Sequence, residues 1–228
     1  MGCAALAVMA LLLPGPTVRG AVVSRDQQAA VLRATVRVTA GDGSGFVGTA
    51  VCIAQRDGSS YLLTAAHVVP AGEARAYEVF TDESYPRPAR TLLDGDILLR
   101  LPGPDIAVVQ LSTGLDPIPV APLPAPGNRP KRFPFAAVSL GCPDFAPPTA
   151  RPEKVVGRKL VRKNPEAFFW EMESRPIGGM SGGPLLGPDG QIIGLCTAAQ
   201  GDHGYFAYLD EIQAGLKRGG LSWLVPAR

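Results

Sequence analysis

The sequence predicts an all-β fold, two six-stranded antiparallel β-barrels followed by a short C-terminal helix, and three observations carry it. Two series of six short runs, rich in β-branched and aromatic residues, are punctuated by Gly, Pro and Asp-Gly turns. A proline-dense segment separates the series, and a single stretch of helical periodicity follows the second.

The first series comprises Val31–Thr39, Phe46–Ile53, Tyr61–Thr64, Tyr77–Thr81, Ile97–Leu101 and Ile106–Leu111, with turns at Asp57-Gly58, Asp94-Gly95 and Pro102-Gly103. Leu115 to Pro134 then carries Pro117, Pro119, Pro122, Pro124, Pro126, Pro130 and Pro134. Proline at that density excludes both helix and central strand and predicts an extended connector. Phe135–Leu140, Lys154–Val161, Phe168–Met172, Pro184–Leu186, Gln191–Thr197 and Tyr205–Tyr208 form the second series. Leu209, Ile212 and Leu216 share one helical face and predict a closing helix over 209–217. The expected organisation is thus a first barrel over 31–114, a connector over 115–134, a second barrel over 135–208 and the helix.

Composition narrows the class. Of the 228 residues 46% are hydrophobic and 18% charged, which is a globular and not a disordered balance. Cys3 to Leu13 is an apolar run too short to span a bilayer, and Val18-Arg19-Gly20 follows it with residues a signal peptidase accepts. A secretory signal over 1–20 is the expectation, although no Lys or Arg precedes the run, and it implies a secreted or periplasmic domain over 21–228. No second apolar stretch approaches membrane-spanning length. Without Arg19 the chain has 21 basic residues (22 less one) against 20 acidic ones, which gives no electrostatic argument for nucleic acid. The local exception is Lys154, Arg158, Lys159, Arg162 and Lys163, read as a solvated strand pair or as a docking patch for acidic polymers. Beyond the leader, Cys52, Cys142 and Cys196 are odd in number, so at least one thiol is free or bridges to another chain.

Chemistry concentrates in three short blocks. Gly178-Gly179-Met180-Ser181-Gly182-Gly183-Pro184 flanks a lone serine with glycines, which permit positive φ and a close approach of ligand to main chain. Tyr61-Leu62-Leu63-Thr64-Ala65-Ala66-His67 leads an apolar run into a small-residue turn bearing one of two histidines. Pro104-Asp105-Ile106-Ala107-Val108-Val109 sets a carboxylate at the mouth of another strand. A serine hydroxyl is a poor nucleophile near neutral pH and needs a base; the base needs a partner that fixes its tautomer. His67, Asp105 and Ser181 supply those three types once each. The pair lies in the first half and the serine in the second, which puts the expected site in the cleft between barrels.

Other motifs carry less. Gly43-Ser44-Gly45-Phe46-Val47-Gly48 matches a dinucleotide-binding pattern in form, but a strand and hairpin follow it where that pattern needs a helix. No H-E-x-x-H, paired C-x-x-C or acidic calcium loop occurs, so no metal or cofactor is implied.

The three blocks, TAAHVV, DIAVV and GGMSGGPLL, resemble the signatures of trypsin-like serine peptidases in the order His, Asp, Ser. The resemblance covers about residues 30–212 and is closest to the bacterial heat-shock-protease (HtrA-like) branch, with no PDZ domain expected. It implies a double β-barrel endopeptidase acting on polypeptides through an acyl-enzyme, with His67 as base, Asp105 as orienter and Ser181 as nucleophile. It further implies an oxyanion hole from the N–H groups of Gly179 and Ser181. Digestive relatives carry an acidic residue before the serine that pairs with a newly cut N-terminus. Met180 stands there, so that activation switch cannot operate. The resemblance places Arg175 at the base of the specificity pocket and Thr197, Ala198 and Ala199 along its wall. Arg175 there would select acidic P1 residues; in a loop of different length it would point to solvent. Two alternatives stay open: a protease of one substrate or of itself, and a protease-fold binding module with a collapsed oxyanion loop.

Overall fold

The computed structural model describes residues 23–42, 45–161 and 164–227. The expected signal segment over 1–20, Gly43-Ser44 of the glycine hairpin, and Arg162 and Lys163 lie outside them. The described chain is nearly all β, with two α-helices and thirteen strands.

The first element corrects an expectation. Val31 to Arg33 is not strand but the last turn of helix α1, Arg25–Arg33. Ser24 Oγ accepts the Gln27 amide at 3.2 Å while Gln27 Oε1 accepts the Ser24 amide at 2.9 Å, a reciprocal cap that nucleates the helix. Strand β1, Thr35–Ala40, begins only after Ala34 closes it.

Strands β2 (Phe46–Arg56), β3 (Ser59–Thr64), β4 (Arg75–Val79), β5 (Arg90–Leu93), β6 (Asp96–Leu101) and β7 (Ile106–Ser112) complete the first half. They form one antiparallel seven-stranded sheet in the order β5-β4-β1-β2-β3-β7-β6. The expected six strands gain β5, a short half-exposed edge that apolar patterning does not reveal. The edge strands β5 and β6 are consecutive, so Asp94-Gly95 alone joins the two ends of the curled sheet. A Cβ on Gly95 would stand 2.5 Å from Val109 and 3.1 Å from Tyr77, on opposite sides of that seam.

Past the connector, β8 (Phe135–Gly141), β9 (Thr149–Val161), β10 (Asn164–Met172), β11 (Pro184–Leu186), β12 (Ile192–Gln200) and β13 (His203–Tyr208) close a six-stranded barrel in the order β10-β13-β12-β11-β8-β9. Helix α2, Leu209–Arg218, buries Leu209, Ile212 and Leu216.

Three apolar clusters explain why the runs are continuous rather than alternating. Val36, Leu62, Tyr77 and Val109 fill the first sheet; Trp170, Met172, Leu185 and Phe206 fill the barrel. A third cluster, including Leu63, Val108, Leu140, Leu195 and Ile212, lies between the halves. Leu62 and Leu63 therefore face different cores, and all six residues of β3 are buried. The halves dock through apolar surface, which fixes the cleft where the three chemical blocks meet.

Candidate active site

The ends of β3 and β7 set the first pair. Leu63 pairs with Val108 and Thr64 with Ala107, so the turn after β3 carrying His67 lies beside the loop entering β7. Asp105 sits in that loop with φ +54°, a left-handed conformation that Asp tolerates better than most residues. Its carboxylate reaches His67 twice, accepting the His67 amide on Oδ1 at 3.1 Å and contacting the ring Nδ1 through Oδ2 at 2.8 Å. The Asp105 carbonyl accepts the Ala66 amide at 3.2 Å. With Nδ1 as donor to the carboxylate, Nε2 is the basic nitrogen. The imidazole is about half exposed and its partner carboxylate 22% exposed, so the far side of the ring is open to a reactant.

The serine loop is hung on the first sheet. The Thr49 amide donates to the Ser181 carbonyl at 2.8 Å. Gly182, with φ +85°, presses so closely that a Cβ would stand 2.0 Å from the Thr49 carbonyl oxygen, 2.3 Å from Thr64 Oγ1 and 3.0 Å from the Ala65 amide. The residue after Ser181 thus touches the backbone two residues before His67. The next glycine, Gly183, would place a Cβ 2.0 Å from the Leu140 carbonyl. Both glycines are required because the nearest atom beside each is a backbone carbonyl oxygen that cannot move aside.

Every carbonyl from Gly178 to Ser181 has a donor. Gly178 accepts the Asp144 amide at 2.9 Å, Gly179 accepts Thr49 Oγ1 at 2.7 Å, Met180 accepts the Gly183 amide at 2.9 Å, and Ser181 accepts Thr49. The Met180 amide donates to Ile177 and the Gly182 amide to Cys196. The amides of Gly179 and Ser181 find no acceptor among the described residues. Backbone N–H groups left without a protein acceptor are available to an incoming oxygen. Gly179 holds φ +88°, which only glycine adopts without strain.

Met180 is 1% exposed and belongs to the barrel core with Trp170, Met172 and Phe206. A thioether therefore anchors the loop from below. Sequence reasoning missed Thr49, Asp144 and Gly141, whose carriers are ordinary small or turn residues with no local signature.

Around the cleft, Thr197 is buried with its hydroxyl on the Tyr205 carbonyl at 2.9 Å, while Ala198 and Ala199 are exposed. Gly204 accommodates the Ser174 carbonyl and the Pro176 ring, 2.8 and 2.9 Å from where a Cβ would stand. Arg175, between them, is exposed, and its carbonyl accepts Arg151 Nη1 at 3.0 Å. Arg151 also donates to Ser174 Oγ at 3.0 Å and lies 3.6 Å from the buried Glu153. Burial pushes the Glu153 carboxyl up, against the lowering effect of Ser139 and Arg151. Among the described residues Cys52, Cys142 and Cys196 are all free and buried. Burial raises each thiol, that of Cys52 to about 11 and that of Cys142 to about 12.

The three described members of the basic cluster each have a partner. Lys154 pairs with Glu173 and Lys159 with Glu171, and the Arg158 guanidinium lies 4.2 Å from the Phe168 ring centroid. Among the described residues no group of three or more His, Cys, Asp and Glu side chains is placed to hold a metal ion, and no helix is long and apolar enough to cross a membrane.

Residues 43–195 match the sequence model of the trypsin-like peptidase domain. No curated protein matches the chain in sequence. Among solved structures, the fold resembles the inactive form of Rv3671c from M. tuberculosis H37Rv at 19% identity and TM-score 0.65, over 97% of this chain and 100% of that one. It resembles a serine endoprotease from Yersinia pestis at 19% identity and TM-score 0.66, over 86% of this chain and 66% of the other. The HtrA-type protease AlgW, bound to a tripeptide, is similar at 18% identity and TM-score 0.67, over 86% and 62%.

Proposed function

Since the chain belongs to the trypsin-like peptidase family, we propose that this serine endopeptidase cleaves polypeptides through an acyl-enzyme formed on Ser181. Ser181 attacks the peptide carbonyl while His67 takes its proton; His67 then protonates the leaving amine. Asp105 orients the ring and stabilises its charged form. Water repeats the sequence on the acyl-enzyme, releasing the acid and restoring Ser181. The Gly179 and Ser181 amides bind the oxygen as it becomes negative, and such donors act chiefly in the transition state.

The observation that carries this reading is the state of the serine loop. A collapsed loop would spend one of those amides or turn a carbonyl into the hole. Here all four carbonyls from 178 to 181 are engaged elsewhere and the two amides are unspent. That favours an enzyme over a protease-fold binding module.

Substrate docking follows the same logic. From Thr197 to Gln200, β12 pairs with β13 alone, which leaves its other edge to an extended peptide. Thr197, Ala198 and Ala199 would then line the pocket, with Arg175 at its mouth and facing solvent. A secreted or periplasmic location remains part of the proposal and rests on the leader-like residues 1–20.

The test is active-site labelling. Wild type should react with a fluorophosphonate probe and hydrolyse labelled casein, and Ser181→Ala should do neither while keeping its fold by circular dichroism. A wild-type protein that neither labels nor cleaves would overturn the reading. Casein left intact by a protein that labels well would point to a protease of one substrate.

A further inference from the structure

Without an acidic latch before the serine, something else must keep the two amides aimed. Gly178 and Gly179 lack side chains, so peptide planes there rotate at little steric cost. An unanchored loop of this kind populates several orientations, only one of which presents both donors.

The structure assigns this anchoring to Thr49, a positioning residue on the opposite half of the molecule; the inference rests on the oxyanion role proposed for Gly179 and Ser181. Thr49 is fully buried. Its amide holds the Ser181 carbonyl at 2.8 Å and its hydroxyl holds the Gly179 carbonyl at 2.7 Å. One residue therefore grips the loop at two carbonyls on either side of Met180. A threonine hydroxyl has a single proton to give. Here it goes to Gly179, and the lone pairs accept the Cys142 amide at 3.0 Å. That second bond ties the clamp to the segment after β8, where Asp144, at φ +45°, directs its own amide to the Gly178 carbonyl. The Thr49 carbonyl accepts Thr64 Oγ1 at 2.7 Å, three residues before His67.

Thr49 thus connects the serine loop, the segment that fixes its first peptide plane, and the strand end that carries the base. Gly141 makes room for this arrangement. A Cβ there would stand 3.0 Å from Thr49 Oγ1, 3.1 Å from Met180 Sδ and 3.3 Å from Met180 Cα. Met180, buried beneath, supplies the apolar half of the anchor.

Thr49→Val keeps the shape and deletes the hydroxyl. The expected result is a fall in the second-order rate of fluorophosphonate labelling of about tenfold to a hundredfold, the population shift that one buried hydrogen bond can impose. Casein hydrolysis should fall in parallel, and Thr49→Ser should restore most of both. A purely structural threonine would lower the melting temperature of Thr49→Val without changing the labelling rate of the molecules that remain folded. Should Thr49→Val not fold, Gly141→Ala tests the same clamp from outside, by pushing on Thr49 and Met180 together, with the same loss expected. Thr49→Val or a folded Gly141→Ala labelling at the wild-type rate would overturn the inference and leave the proposed function intact. Wild type that does not label at all would remove the proposed function itself.

Discussion

Gly182→Ala is the sharpest test of how the two halves meet. The added methyl would stand 2.0 Å from one carbonyl oxygen and 2.3 Å from a hydroxyl oxygen, and the Ala65 amide closes the third side at 3.0 Å. Two of these three atoms are backbone and cannot rotate away. The φ of +85° adds a left-handed penalty of roughly 1–2 kcal/mol for any L-residue. Overpacking of a rigid site costs roughly 1–3 kcal/mol more. The expected loss is about 2–5 kcal/mol, a large share of the roughly 5–15 kcal/mol that holds a domain folded. Gly201→Ala is the control, because Gly201 has φ +59° with open space around it and carries the backbone penalty alone. Urea unfolding followed by the fluorescence of buried Trp170 gives both values. If Gly182→Ala came within about 1 kcal/mol of Gly201→Ala, the close seating of the serine loop on β2 and β3 would be wrong.

Three further outcomes follow from the site. Asp105→Asn keeps the contact geometry but favours the wrong imidazole tautomer, and turnover should drop by about 10⁴-fold with little change in melting temperature; an active variant would exclude Asp105 as orienter. Burial raises the Glu153 carboxyl, so the folded state binds that proton more tightly than the unfolded chain. The ionised carboxylate is then a cost that is fully present above its folded pKa and relieved as pH falls toward the ordinary glutamate range. Glu153→Gln should therefore be at least as stable as wild type at neutral pH and show a flatter stability profile at mildly acid pH, and unfolding series at several pH values check this. Finally, Cys52, Cys142 and Cys196 are buried with raised thiols, so Ellman's reagent should modify none of them before unfolding.

What the sequence discloses and what it hides separate along physical lines. The His67, Asp105 and Ser181 blocks are legible because each needs local chemistry, a small-residue turn or a glycine pair beside an apolar strand. The strands of the barrel are legible because both faces of many of them are buried. Helix α1 is hidden because Val31 and Leu32 read as the start of a strand, although the Ser24 and Gln27 cap stands seven residues earlier. Strand β5 is hidden because an edge strand with alternate residues exposed has little apolar signal. Thr49 leaves no trace at all: its hydroxyl partners lie 130 and 93 residues away, and nothing in a Gly-Thr-Ala triplet marks either.

That long-range placement has a functional consequence. In digestive relatives an acidic residue waits for a new N-terminus before the oxyanion loop takes shape. Here the equivalent side chain is Met180, which needs only the barrel interior, and the remaining contacts come from Thr49 and Thr64 on the first sheet. Neither set depends on a cut. The Thr49 and Thr64 set depends on the third apolar cluster, where Leu63 and Val108 pack with Leu140 and Leu195, because that docking brings β2 to the serine. Ordering of the loop is therefore coupled to assembly of the two halves, and under the proposed mechanism whatever loosens their interface would disarm Ser181 without touching His67 or Asp105.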